Sequence, residues 1–198
     1  MSSEGRVRKA LGEIRREDFL PSGQRRHAGE DRALHIGYRQ TNSQPTTVSN
    51  MLTLLEVEPG DRVLDLGSGS GWTTALLGFL VGPTGVVHGV ERVPELTAWG
   101  RENLEGYSMP WTSISQASAD TLGLPDLAPF DRILVSAQAD KLPDELVGQL
   151  AEGGVMVVPV AGRMTVVRRT ADETTVVQHG LYSFVPLIEP HSGSRRQR

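Results

Sequence analysis

The chain of 198 residues carries 24 acidic and 20 basic side chains, a net charge of −4, and no cysteine. This excludes disulfides, thiol nucleophiles and cysteine-held metals, and disfavours general nucleic-acid binding. No apolar run approaches the roughly 20 residues of a membrane span, residues 1–16 lack the apolar core of a secretory leader, and the five histidines show no His-Glu-x-x-His spacing. The expectation is a cytoplasmic, single-domain protein with no metal, membrane or nucleic-acid partner.

Val7, Leu11 and Ile14 recur at helical spacing and predict an amphipathic helix over residues 5–16. Its arginines read as a solvated face rather than an RNA patch, although residues 1–40 hold nine Lys/Arg against six Asp/Glu. Residues 19–44 have little periodicity. Phe19, Leu20, Leu34, Ile36 and Tyr38 are interleaved there, which favours an ordered lid over a floppy tail. Ser43 or Thr46 is placed to cap a helix over residues 47–56, with Val48, Met51, Leu52 and Leu55 on its apolar face.

Glu58-Pro59-Gly60-Asp61 turns into a strand that ends in Val63-Leu64-Asp65-Leu66-Gly67-Ser68-Gly69-Ser70-Gly71-Trp72. Beyond it the chain alternates. Helices are expected over residues 73–80, 94–107 and 143–150, and strands over 86–90, 111–117, 130–136 and 155–160, with Gly153-Gly154 stopping the third helix. Such alternation implies a parallel sheet wrapped by helices. Residues 164–170 and 174–179 flank Ala171-Asp172-Glu173 as a hairpin, so the last strands are expected to be antiparallel. An extended piece over 181–188 and a frayed tail over 191–198 complete the chain.

The strand–glycine turn–helix grammar marks a nucleotide or nucleoside site, because glycine lets a ligand approach the backbone. The dinucleotide pattern G-x-G-x-x-G/A fails at Trp72 and Thr74, and the P-loop fails for want of a lysine. What remains is Asp65 with Gly67, Gly69 and Gly71, then a second strand closing in Glu91, an acidic residue placed to hold ribose hydroxyls. A nucleoside such as S-adenosylmethionine fits this better than a dinucleotide.

Here the sequence resembles the protein-L-isoaspartate O-methyltransferase family, over residues 17–188. Glu30 to Gly37 with Gln40-Thr41-Asn42-Ser43-Gln44-Pro45 is similar to its N-terminal signature, and Val63 to Gly71 to its cofactor loop. Glu91 to Leu96, Leu122-Gly123-Leu124-Pro125, Ala128 to Val135 and Phe184-Val185-Pro186-Leu187 resemble its later blocks. The resemblance implies an α/β fold, a doubly wound, mostly parallel seven-stranded sheet with an antiparallel C-terminal strand. It implies methyl transfer from S-adenosyl-L-methionine to the free α-carboxylate of L-isoaspartyl residues in proteins or peptides, with S-adenosyl-L-homocysteine as product. It also implies repair through a succinimide, by a monomer. Ser43 then matches the active-site serine, a hydrogen-bond donor to the acceptor rather than a covalent nucleophile, and Thr41 helps close the site. Thr41, Asp65, Gly67, Ser68, Gly69, Gly71 and Glu91 fall on the cofactor side, and Asn42, Val185 and Pro186 on the acceptor side. Residues 1–45 would form the helix and lid, and residues 46–190 the cofactor core.

Three departures stand out. Asn42 replaces a bulky apolar residue. Ser118-Ala119-Asp120 replaces Gly-Asp-Gly, so the adenine-side carboxylate either moves to Asp120 or is lost. Thr46-Thr47-Val48 lacks the usual aromatic or histidine. Asn42 and the altered adenine loop motivate a second reading, a relative with one dedicated aspartyl peptide acceptor, and Ala119 motivates a third, a non-catalytic S-adenosylmethionine-binding protein.

Overall fold

The computed structural model describes residues 2–190; the tail expectation over 191–198 lies outside them. Helix α1 (Ser3–Glu13) starts at a Ser2 cap whose Oγ accepts the Gly5 N–H, and it buries Val7 and Ala10. It is shorter than the spacing predicts, and the chain beyond it enters a 3₁₀ turn, Arg16–Phe19. The aperiodic segment is ordered. A second 3₁₀ turn, Arg25–His27, leads to an antiparallel hairpin of β1 (Leu34–Gly37) and β2 (Gln40–Asn42). Leu20, Leu34 and Ile36 bury against Leu96.

Helix α2 (Pro45–Leu55) begins with proline in its first turn, but neither Ser43 nor Thr46 caps it. The N-cap is Gln44, without a side-chain bond. The capping role passes to Asp31, whose carboxylate accepts from the Thr46 amide (2.9 Å), the Thr46 hydroxyl (2.8 Å) and Gln44 Nε2 (3.0 Å). These bonds hold the Asp31 carboxyl below its ordinary pKa.

The remaining elements are β3 (Arg62–Leu66), α3 (Trp72–Val81), β4 (Val86–Glu91), α4 (Pro94–Glu105), β5 (Thr112–Gln116), a 3₁₀ turn (Pro125–Leu127), β6 (Phe130–Val135), α5 (Asp144–Val147), β7 (Leu150–Val160), β8 (Arg163–Arg169) and β9 (Thr174–Leu181). The sheet has seven strands in the order β5-β4-β3-β6-β7-β8-β9. The first five run parallel, β8 is antiparallel to β7, and β9 is antiparallel to β8. Alternate residues of the central strands feed opposite faces. Val63, Leu134, Val155 and Val157 join a core with α1, α2 and α3, while Leu64, Ile133, Val135, Met156 and Val158 join one with Leu146 of α5.

One expectation about the sheet is corrected. The third crossover helix spans only Asp144–Val147, and β7 starts at Leu150, which pairs with Phe130. The backbone need of β6 overrides helical spacing there, since the Phe130 N–H donates to the Gln149 carbonyl at 2.9 Å. Gly153 and Gly154 therefore lie inside a strand rather than ending a helix. Residues 182–188 form no strand; Pro186 makes only an isolated bridge to Gln138.

Candidate active site

The chain leaves β3 to build β4 and β5 on one side, then returns to build β6 and β7 on the other. Loops following β3 and β6 therefore diverge, and a crevice opens at the carboxyl ends of the strands. It is a cleft of about 840 Å³, walled by the glycine loop, the ends of β4 and β6, the turn after β5, the β1–β2 hairpin and residues 185–190.

The loop's shape is fixed by backbone bonds. The Gly67 and Ser68 N–H groups both donate to the Val90 carbonyl, at 2.8 and 3.1 Å. Gly69 donates its N–H to Glu91 Oε2 at 2.9 Å, while Val93 donates to Glu91 Oε1 at 2.8 Å. Glu91 is thus nine-tenths buried yet on the cleft wall, with each oxygen already oriented. Gly69 touches the hairpin, since a Cβ there would sit 3.3 Å from Ile36 Cδ1.

The structure brings Thr41, Asn42, Ser43, Gly67, Ser68, Gly69, Glu91, Val185 and Pro186 to this one cleft. It leaves three assigned residues off the wall. Gly71 (φ +93) faces backwards, where a Cβ would stand 3.1 Å from the Gly100 carbonyl; it packs α3 against α4. Asp65 is fully buried behind the loop, and its Oδ2 accepts from the Thr73 and Thr74 hydroxyls, both at 2.7 Å. Burial raises its pKa to about 6 against those two bonds, with the Glu91 charge pushing the same way. Asp120 is exposed on a turn held by Ser118, while Ala119 and Thr121 beside it line the cleft.

Ser43 is half-buried, and its hydroxyl bonds to no other described residue. Asn42 is 5% exposed and turns its Oδ1 to Arg16 Nε at 2.8 Å. The polar residue beside Ser43 thus answers a buried guanidinium. Val185 and Leu187 are docked by the loop after β6. The Gln138 N–H donates to the Val185 carbonyl and the Leu187 N–H to the Gln138 carbonyl, at 2.8 and 2.7 Å.

Sequence reasoning missed Arg16, Asp31, Tyr38, Arg39 and Trp72. Arg16 is buried rather than solvated, contrary to the expectation for that helix face. Neither spacing nor neighbours reveals it, because its partners are mostly backbone carbonyls. Arg6 too is engaged, with the Glu58 carboxylate and the Val57 carbonyl. Tyr38 and Arg39, on the cleft wall at the hairpin tip, have φ of 53° and 60°. That left-handed conformation goes unsuspected without a glycine or asparagine to signal it.

The protein-L-isoaspartate(D-aspartate) O-methyltransferase family model matches residues 1–192. A protein-L-isoaspartate O-methyltransferase of Aeropyrum pernix is 43% identical over 191 residues, 94% of this chain and 74% of its own. One from Methanothrix thermoacetophila is 42% identical over 187 residues, 92% of this chain and 88% of its own. Among solved structures, a protein-L-isoaspartate O-methyltransferase superposes with a TM-score of 0.84 at 24% identity, over 93% of this chain and 62% of that one. A Plasmodium falciparum structure of the same description, in complex with S-adenosyl-L-homocysteine, gives 0.82 at 24% identity, over 92% and 90%. The match spans α1, the β1–β2 hairpin with Ser43 directly after it, and the segment at residues 185–190 that lines the cleft, and on it the chain belongs to the protein-L-isoaspartate(D-aspartate) O-methyltransferase family.

Proposed function

We propose that the protein transfers a methyl group from S-adenosyl-L-methionine to the free α-carboxylate of L-isoaspartyl residues in proteins and peptides. S-adenosyl-L-homocysteine leaves as product, and repair through a succinimide begins. One observation carries the reading beyond family membership: the glycine loop with Glu91 at the end of β4, and Ser43 directly after β2, form two walls of one cleft.

The cleft suits the cofactor. Its volume of about 840 Å³ lies in the range of small-molecule sites. Residues 67–70 line it, and among the described residues the buried Ser68 Oγ has no partner. Glu91 would hold the ribose hydroxyls through the lone pairs that Gly69 and Val93 leave, and Gly67 to Gly69 would face the methionine portion. When bound, the cofactor supplies an electrophilic methyl: its C–S bond breaks with the electron pair going to sulfur, and a C–O bond forms to the acceptor.

The protein's own tasks are then few. A carboxylate has an ordinary pKa near 4 and is ionised at neutral pH, so no general base is required. Ser43 donates a hydrogen bond to the acceptor and orients it, and Thr41 closes the wall beside it. Val185, Pro186 and the Asn42 backbone flank the acceptor and exclude water, which raises the benefit of alignment. The turn of Asn42 away towards Arg16 weakens the case for a dedicated acceptor. Ala119 and Thr121, not the Asp120 side chain, are on the wall where the adenine would lie.

We read the protein as a single domain, with residues 1–45 on the acceptor side and 46–190 as the cofactor core, and as a cytoplasmic monomer without nucleic-acid partners. The net charge of −4 supports the last point. No helix among the described residues is long and apolar enough to cross a membrane. The test is labelled S-adenosylmethionine with two peptides that differ only in an isoaspartyl or aspartyl linkage. Label on the isoaspartyl peptide alone, lost in Ser43→Ala, is expected. Equal labelling of both peptides, or none on either, defeats the reading.

A further inference from the structure

Beneath the acceptor wall lies a cation that does not itself line the cleft. Arg16 is 6% exposed and stands where α1 gives way to the 3₁₀ turn. Its Nε donates to Asn42 Oδ1 at 2.8 Å. Its Nη1 donates to the Ala28 and Glu30 carbonyls, at 3.2 and 2.9 Å. Its Nη2 donates to the carbonyls of Arg32, Asn42 and Ser43, at 2.8, 3.2 and 2.9 Å. One planar fork therefore gathers the turn at 28–32 and the end of β2 into a single unit. The guanidinium also lies over the Trp72 ring, 5.4 Å from its centroid. Trp72 is the first residue of α3, directly after the glycine loop, and lines the cleft.

Among the described residues Arg16 forms no ion pair, and every hydrogen-bond partner is a neutral oxygen. Burial brings its pKa down to about 10, which still leaves it charged at neutral pH. A buried charge is tolerable only when its donors are satisfied. The carbonyls of residues 28–43 are therefore held in one arrangement around it.

We propose that Arg16 is a positioning residue for methyl transfer. By fixing the backbone at Asn42 and Ser43 it aims the Ser43 hydroxyl, and by resting on Trp72 it sets that hydroxyl in register with the cofactor loop. Lysine keeps the charge but has three donors on a flexible stem and no planar fork, so it cannot bind this set of carbonyls. The inference rests on the methyl-transfer reading above.

The experiment compares wild type, Arg16→Lys and Asn42→Leu, the last keeping the backbone carbonyls while removing the side-chain acceptor. It reads S-adenosylhomocysteine binding by calorimetry, kcat and KM on an isoaspartyl peptide, and amide hydrogen exchange. In Arg16→Lys, kcat is expected to fall about 10- to 100-fold, as for a misaligned acceptor. Cofactor-product affinity and peptide KM are expected to stay within about threefold. Exchange is expected to quicken over residues 28–46 and not over 62–91, and Asn42→Leu is expected to be intermediate. Unchanged kcat in folded Arg16→Lys, product binding lost in parallel with kcat, or exchange unchanged over 28–46 would each overturn the proposal. Wild type inert on the peptide defeats the functional reading instead, and the exchange result then decides the role of Arg16 by itself.

Discussion

Replacing Asp65 with asparagine tests the electrostatics behind the loop. Asp65 is fully buried, and its carboxyl pKa is raised from 3.8 to about 6, chiefly by burial. In the unfolded chain it ionises near 3.8, so between these values the native state binds the extra proton. Stability from this group is complete below pH 3.8 and is lost as pH rises through about 6. The gap corresponds to about 3 kcal/mol. Asparagine preserves the shape. Its Oδ1 can accept from Thr73 and Thr74 as Oδ2 does now, and its amide nitrogen takes the place of an oxygen that has no partner. The stability of Asp65→Asn relative to wild type should therefore climb by about 2.4 kcal/mol between pH 4 and pH 7, the rest of the gap lying below pH 4, then level off. Urea unfolding of both proteins across that range measures it, since the other carboxylates cancel in the difference. A difference that is flat with pH, or one that falls towards pH 7, refutes the argument.

On the proposed role of its hydroxyl as donor to the acceptor, Ser43→Ala should lower kcat by about 10- to 100-fold while leaving S-adenosylhomocysteine binding in place; calorimetry beside kinetics checks this. Glu91→Gln leaves one of the Gly69 and Val93 amides facing an NH₂ group, a loss of about 1–3 kcal/mol in loop stability. Calorimetry should find cofactor-product binding weakened more in this variant than in Asp65→Asn. Arg39→Gly relieves a left-handed residue at the hairpin tip (φ 60°) and should raise stability by about 0.5–1 kcal/mol. Denaturant unfolding that shows Arg39→Gly to be less stable would contradict that account.

The glycine-loop wall of the cleft was legible because its geometry is written in local pattern. An apolar run ending at Leu66, glycines at alternate positions and an acidic close at Glu91 each follow from backbone geometry that sequence reports directly. The wall that carries Ser43 was harder. Ser43 emerged from resemblance to a family, while Asp31 capping α2 and Arg16 beneath Ser43 gave no signal. Asp31 is 14 residues before the helix it caps, and Asn42 is 26 residues from Arg16. Asp65 and Gly71 belong to the motif yet serve it from behind, a distinction that spacing cannot make.

The sequence by itself determined the strand–helix alternation, the glycine turn, the missing thiol chemistry and the family. Each depends on residue type and near-neighbour periodicity. Only the tertiary structure decided which polar groups face the cleft and which hold it up. It also made Leu150 begin a strand, because β6 needed a partner for its backbone. The reason is the same throughout: a buried donor or acceptor must find a partner wherever the fold supplies one, and distance along the chain places no limit on where that is.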